Sequence, residues 1–518
     1  MFKKTLIGLS VIMFIAIFSF HFYLNFKTRT APPSQEWSKE VLLAEGSIQC
    51  NPRLIKYKDF YVVAYSDGKD IKILKIDSIG RKIEEKALPL KEGTVKDIHL
   101  LTDNKNLFME VEAYTGSDSC LLSFKGDEKL EFTEESKAIN ILDFVQIDNS
   151  TMAVALQDKV QFIDFKNNTI TPINVSKQRF LMGTKLKDEY IICYMKGLNN
   201  FEYIRIKNGI VSQPKIAGHL TEITKVNFVR GTMIANDNFA NAFIECKTEG
   251  DYSGSKLLTF SLNTDEYTVG DFKINGENQE IYNVEPFYHG GETSILATTE
   301  RTFGKKKQFS DVVEYDAKQG AFVKATPLSR SSEISLYASA AEDTVTFCDI
   351  VDKGKLKLYM VSSREEFKKA NDEVRGSEIK SAFSDTINSC FSSLGYIVIY
   401  GVFWIIPSIA LAGIVFMVEY KLNLRWKKIL FIVISSLGSI FKCKYIYKII
   451  FVENAYKLPT LLNPYLGLGI CLLISLLFYY PAYKKYVNEE DNILIAPYSI
   501  SLLLESLFTV LLFRSFLV

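Results

Sequence analysis

Histidine is almost missing from this chain: His21, His99, His219 and His289 are the only four among 518 residues. They stand far apart, so none has a partner at the spacing of a zinc site or an HExxH helix. Cysteine is no better placed. Cys50, Cys120, Cys193, Cys246, Cys348, Cys390, Cys443 and Cys471 stand singly, with no CxxC pair. Several lie inside apolar runs such as Ile191-Ile192-Cys193-Tyr194, which reads them as small buried hydrophobes, with disulfides the alternative. There is no GxSxG, no phosphate-binding GxxxxGK[ST] and no dense DxDxDG calcium loop. Catalytic residues, cofactor and metal are therefore all expected to be none, and an enzymatic role finds no support in the sequence.

Net charge is also lacking. Lysine plus arginine (61) balances aspartate plus glutamate (60), leaving +1. Nothing in that balance draws the chain to nucleic acid. Asn149, Asn167 and Asn174 fit the N-x-Ser/Thr pattern. The Lys-, Ile-, Asn- and Tyr-rich composition is that of an AT-rich bacterial genome, so these sequons are read as chance.

What the chain does have is strand periodicity. From Cys50 to Leu90 it alternates apolar runs with turns: Phe60–Tyr65, then Asp67-Gly68, Ile71–Ile76, Asp77 to Gly80, and Ile83–Leu88. Asp-Gly suits a turn in which φ becomes positive. The pattern returns near residues 98–133, 139–175, 179–216, 223–274, 281–326 and 334–361. A repeating unit of about 40 residues and four strands resembles a β-propeller blade. The seventh repeat is one strand short, and Glu40–Ala44 is an orphan strand ahead of the first. The resemblance to the propeller superfold implies that this orphan completes the last blade and closes the ring, since an open ring leaves exposed sheet edges. A large β-sandwich or two stacked β-domains would show similar short strands. No Trp-Asp or kelch signature is present.

Five long apolar runs frame this domain. Thr5–Phe26 follows Lys3 and Lys4 and is long enough to span a bilayer. It reads as an uncleaved anchor, because a signal peptide would have a shorter core and a small-x-small site. Tyr396–Val418 (kinked or broken at Pro407), Ile429–Ile450, 461–480 and 493–513 form four more candidate spans. The expected organisation is an N-terminal transmembrane anchor (1–27), a linker (28–37), an all-β propeller ectodomain (38–363), a juxtamembrane helical connector (364–393) and an α-helical four-span bundle (394–518). Lys421, Arg425, Lys427 and Lys428 crowd one loop, and Lys484 and Lys485 another. The positive-inside rule places these and the N-terminus in the cytoplasm and the β-domain outside, in a multi-pass protein of the cell membrane.

Two sets of charged residues are singled out. Lys442 and Glu505 fall at matching depths in parallel-running spans and form a possible intramembrane pair; the alternative is a lysine that snorkels to the interface. Lys305-Lys306-Lys307 is a solvated loop or a contact to anionic lipid or a surface polymer. The order of anchor, outer β-domain and bundle is similar to that of Gram-negative membrane insertases, but four spans replace their five and Tyr396–Val418 has no arginine.

The functional expectation is a non-enzymatic binding, sensing or assembly module held at a membrane, with the lipid bilayer, other membrane proteins or a surface polymer as partners. A transport or export component with a polar path through the bundle is the alternative. Carboxylates or a metal converging on the propeller axis would instead point to a hydrolase or lyase.

Overall fold

The computed structural model describes the chain except residues 1, 91–92, 116–117, 176–177, 198, 221–226, 237, 249–250, 290–291, 304–305, 319–320, 331–333, 353, 456–457, 459–461, 489–492 and 517–518. Side chains at 115, 118, 248, 251–253, 289, 292, 301–303, 306–309, 318 and 515 are likewise outside the description. The chain divides into a helical unit (Met1–Ala31, Phe303–Lys306, Val374–Val518) and a β unit (Pro32–Thr302, Lys307–Glu373).

The β unit is a seven-bladed propeller, each blade an antiparallel sheet. Blade 1 shows how the sequence builds one. Arg53–Tyr57, Phe60–Ser66, Asp70–Ile76 and Lys82–Pro89 pair in that order. Phe60–Ser66 is buried throughout, because neighbouring blades cover both its faces, whereas the outermost strand is solvent-facing along much of its length. Asp67 makes its turn by accepting the backbone N–H of Lys69 and Asp70, and Gly68 has φ +94°. Asp77, Asp103, Asp127 and Asp148 hold turns by the same side-chain-to-backbone bonding.

The ring closes as the orphan strand implies. Val41–Gly46 pairs antiparallel with Lys355–Ser362, Val41 opposite Met360 and Gly46 opposite Leu356. Ser38 donates its N–H to Ser362 at 3.0 Å, and Trp37 is fully buried with Nε1 on Glu314 at 3.0 Å. Blade 6 carries an addition invisible to the repeat pattern: the hairpin Lys273–Ile274 and Glu277–Asn278 joins its outer edge, parallel to Ala321–Pro327.

Glu110 is a carboxyl inside this apolar packing. It is 2% exposed and accepts Ser123 Oγ at 2.7 Å. Burial lifts its pKa to about 8. The folded state keeps its proton while the unfolded chain releases it near pH 4.5, so Glu110 lowers stability increasingly from pH 4.5 to 8. Glu110→Gln is expected to stabilise the protein by about 1–3 kcal/mol at pH 7 and by nearly nothing at pH 4, read from denaturant melts at both pH values.

The helical unit contains α1 (Phe2–Thr30), α3 (Gly376–Tyr396), α4 (Val402–Val418), α5 (Leu424–Ile446), α6 (Pro464–Asn488) and α7 (Ile495–Phe513), while the short α2 (Glu365–Asn371) belongs to the β unit. Among the described residues, five helical stretches are long and apolar enough to cross a membrane. One of them runs unbroken from Gly376 to Lys421, so the helix of the expected connector and that of the first candidate span of the bundle are continuous. Pro407 lies inside α4, which continues through it; the helix departs from α geometry earlier, in a π turn at Ile397–Gly401. A π turn rearranges the hydrogen-bond ladder without opening it to lipid. Arg29 of α1 pairs with Asp385 of α3 at 2.7 Å, and Asn25 donates to Thr386.

Candidate functional site: the propeller axis

The first strands of the seven blades run along the axis: Arg53–Tyr57, Thr94–Thr102, Asp143–Gln146, Arg179–Leu186, Asn227–Ala235, Ile281–His289 and Ser335–Ala341. They line a cavity of about 650 Å³. Side chains lock several of these strands to an adjacent blade. Arg53 donates to Ile98 O, Gln146 to Leu100 O, Thr232 to Val284 O, and Ser339 Oγ accepts the N–H of Leu54.

Five of these strands are bulged near the same end. Their registers slip between Val95 and Asp97, Arg179 and Met182, Phe228 and Arg230, Tyr282 and Glu285, and Leu336 and Ser339. A bulge re-aims the side chains beside it and recurs next to functional sites. Three of the extra residues, Phe180, Asn283 and Tyr337, have φ of 59°, 50° and 61°. For Phe and Tyr this is strained backbone, costing about 1–3 kcal/mol each, held by surrounding structure. Gly231 allows the tight approach of blades 4 and 5: a Cβ there would meet Met182 and Phe180 at 2.6 Å.

Three of the bulges lie beside charged groups on the axis, Asp97, Arg230 and Glu285, which gather with Arg53 of blade 1. Arg53 reaches Glu285 at 2.7 Å through NH1, and Asp97 at 3.3 Å through NH2. Arg230 pairs with the same Glu285 oxygen. His99 lies 3.4 Å from Asp97 and 3.1 Å from Gln146 Oε1. Burial opposes the charge on Asp97, but Arg53, His99 and Arg230 outweigh it and hold the carboxyl far below its usual range. Glu285 is held low in the same way by Arg230 and Arg53. Burial pushes Glu245 up, against the pull of Arg230 and of the Val284 and Asn283 N–H groups. It likewise pushes Asp143 to about 6, although Leu181 and Phe144 donate N–H bonds to it at 2.7 and 2.9 Å.

Carboxylates thus do converge on the axis, the feature that would point to a hydrolase or lyase. Asp97 and Glu285 are locked as anions against guanidiniums, whereas burial raises Asp143 and Glu245, which accept backbone N–H groups of Phe144 and Leu181 and of Val284 respectively. Among the described residues, no three or more His, Cys, Asp or Glu gather to hold a metal ion. The arrangement presents fixed charges of both signs to whatever enters.

The structure brings Lys442 and Glu505 together as an ion pair with both side chains fully enclosed. Lys442 Nζ also donates to Ser475 Oγ at 2.6 Å, Cys471 O at 3.2 Å and Thr509 Oγ1 at 3.3 Å. Lys305 lies outside the described residues; Lys306 and Lys307 begin the strand Lys306–Lys318, with their side chains also outside the description. Sequence reasoning missed the axial set. Its members, Arg53, Asp97, Arg230 and Glu285, come from four different repeats, each beside the start of a first strand. A charged residue recurring at that position, where an apolar one is expected, was the available signal.

No protein-family profile matches the chain, and no curated protein matches it in sequence. Among solved structures, the chain is similar to the β-propeller domain of the Trilobed protease from Pyrococcus furiosus, described as having an open velcro topology. The identity is 12% and the TM-score 0.38, covering 60% of this chain and 95% of that one. It is also similar to a chain of Kuenenia stuttgartiensis hydrazine synthase, at 10% identity and TM-score 0.37, covering 61% of this chain and 96% of that one.

Proposed function

We propose that this is a membrane protein that presents its propeller outside the cell membrane as a non-enzymatic binding module, and that the ligand enters the axial channel. The observation that carries the reading is the constellation of Arg53, Asp97, Arg230 and Glu285 around a cavity of about 650 Å³. That volume falls in the range of small-molecule sites, about 300–1,000 Å³. Bulges beside Asp97, Arg230 and Glu285, on strands that line one cavity, fit a binding role.

Two features of the helical unit support the orientation. Lys485 lies over the Phe2 ring at 5.2 Å, so Lys3, Lys4, Lys484 and Lys485 share one end of the bundle. Glu419, beside the Lys421–Lys428 loop, accepts Tyr486 Oη at 3.1 Å and brings that loop to the same end. The lysine-rich end is the cytoplasmic one by the positive-inside rule. The Arg29–Asp385 pair puts the chain's exit from α1 and its return at α3 together at the other end. Lys442 and Glu505 favour assembly of the bundle over a conducting path, because both are enclosed and their bonds satisfied.

The test is gentle detergent extraction followed by native mass spectrometry. A small molecule retained by the wild-type protein and lost from Arg230→Lys is the expected result. Wild-type protein free of any small molecule, or one equally retained by the variant, contradicts the reading.

A further inference from the structure

The cations that line the axial cavity are all engaged. Arg53 bonds Asp97 and Glu285, and Lys96 bonds Glu112 at 2.7 Å. Arg230 bonds Glu285 and also faces Glu245 and Asp97. Two further carboxylates of the lining are met from outside it, Asp148 by Lys185 at 3.0 Å and Glu342 by Arg364 at 3.0 Å. The lining thus sets seven carboxyl groups against three cations of its own and these two from outside. His99, 3.4 Å from Asp97, adds a sixth positive charge only when protonated. A cleft whose walls carry an excess of one sign concentrates its field inside and draws in ions of the other.

Asp143 is where that excess meets the cavity. It is partly exposed, accepts the backbone N–H groups of Phe144 and Leu181, and forms no ion pair among the described residues. It is ionised at neutral pH, because burial raises its pKa only to about 6. The charged side chains that act on it, Glu112 and Lys96, are paired with each other.

Aromatic rings share the lining. Phe180 immediately precedes the Leu181 N–H that holds Asp143, so its backbone stands beside that carboxylate. Phe180 and Tyr337 are half-buried and held at φ of 59° and 61°, and Tyr288 is 47% exposed. The face of an aromatic ring attracts a cation. A carboxylate with rings around it suits an alkylated ammonium, whereas a hard metal ion takes oxygen ligands.

Resting on the reading that the channel binds a ligand, we propose that this ligand is an organic cation, an alkylammonium whose charge meets Asp143 and whose alkyl groups lie against Phe180. An anion in the same channel would face surplus carboxylates and cations already engaged.

The experiment uses the full-length protein in non-ionic detergent and three probes of one size, butylammonium, butanol and butyrate, read by saturation-transfer NMR. Butylammonium is expected to bind at least about tenfold more tightly than either of the others. Asp143→Asn, which keeps an oxygen for the Phe144 and Leu181 N–H groups, should remove that preference. Phe180→Leu should weaken butylammonium at least about threefold. Butyrate or butanol binding as tightly overturns the proposal, as does no butylammonium binding up to about 10 mM. A preference that survives Asp143→Asn, or an affinity unchanged in Phe180→Leu, also overturns it. Calcium binding that is lost in Asp143→Asn, without butylammonium binding, assigns the site to a metal ion instead. A molecule without positive charge retained in native spectra refutes the cation while leaving the binding role standing; spectra without any small molecule refute both.

Discussion

Glu505→Leu is expected to destabilise the helical unit by about 3–5 kcal/mol, because it leaves the Lys442 ammonium enclosed without its counter-ion. The hydroxyls of Ser475 and Thr509 and the Cys471 carbonyl remain, but they supply dipoles where a charge is needed. The double variant Lys442→Met/Glu505→Leu removes both charges and should recover most of the loss, since well-packed apolar pairs replace buried ion pairs at little cost. Unfolding in mixed micelles of increasing denaturing-detergent fraction measures the wild type, Glu505→Leu, Lys442→Met and the double variant. If both single variants were as stable as the wild type, Lys442 would reach water and the enclosed pair would be wrong. If the double variant were no better than either single one, packing around Ser475 would be the source of the loss.

Glu285→Leu is the second large effect, again about 3–5 kcal/mol, now in the propeller. Arg230 loses its one hydrogen bond among the described residues and Arg53 keeps Asp97. The pH dependence identifies the cause. Glu285 and Asp97 are held below the values they have in the unfolded chain, 4.5 and 3.8. Their stabilisation is therefore complete above that range and fades as the pH falls below about 4.5. The variant should lose stability at pH 7 and approach the wild type in acid. Chemical denaturation at pH 7 and pH 3 separates this from simple loss of packing, which would lower stability equally at both. Glu285→Leu/Arg230→Met should regain most of the difference at pH 7.

The blades were legible because each is local. Four strands and three turns fit in one stretch of chain, and the alternation within Ile71–Ile76 or Leu107–Tyr114 reports a sheet without reference to any other repeat. Ring closure was legible as a pair of matching defects, one spare strand at Val41–Gly46 and one strand short after Ser362. The axial site was not, for the opposite reason. Arg53 and Glu285 stand 232 residues apart and meet only because seven blades return every first strand to one axis. The bulges along the axis were equally hidden: Phe180 and Tyr337 carry positive φ without the glycine that would announce it. In the helices, composition located the long apolar stretches, and Pro407 sits inside one of them without ending it. The helix departs from α geometry at Ile397–Gly401, where no proline stands.

The most direct test is an experimental density map of the detergent-extracted protein at a resolution that shows side chains. The account predicts a compact, non-water feature inside the ring of first strands. A ring in which Arg53, Arg230, Asp97 and Glu285 point away from a shared axis, or a ligand seated elsewhere on the blades, would contradict it.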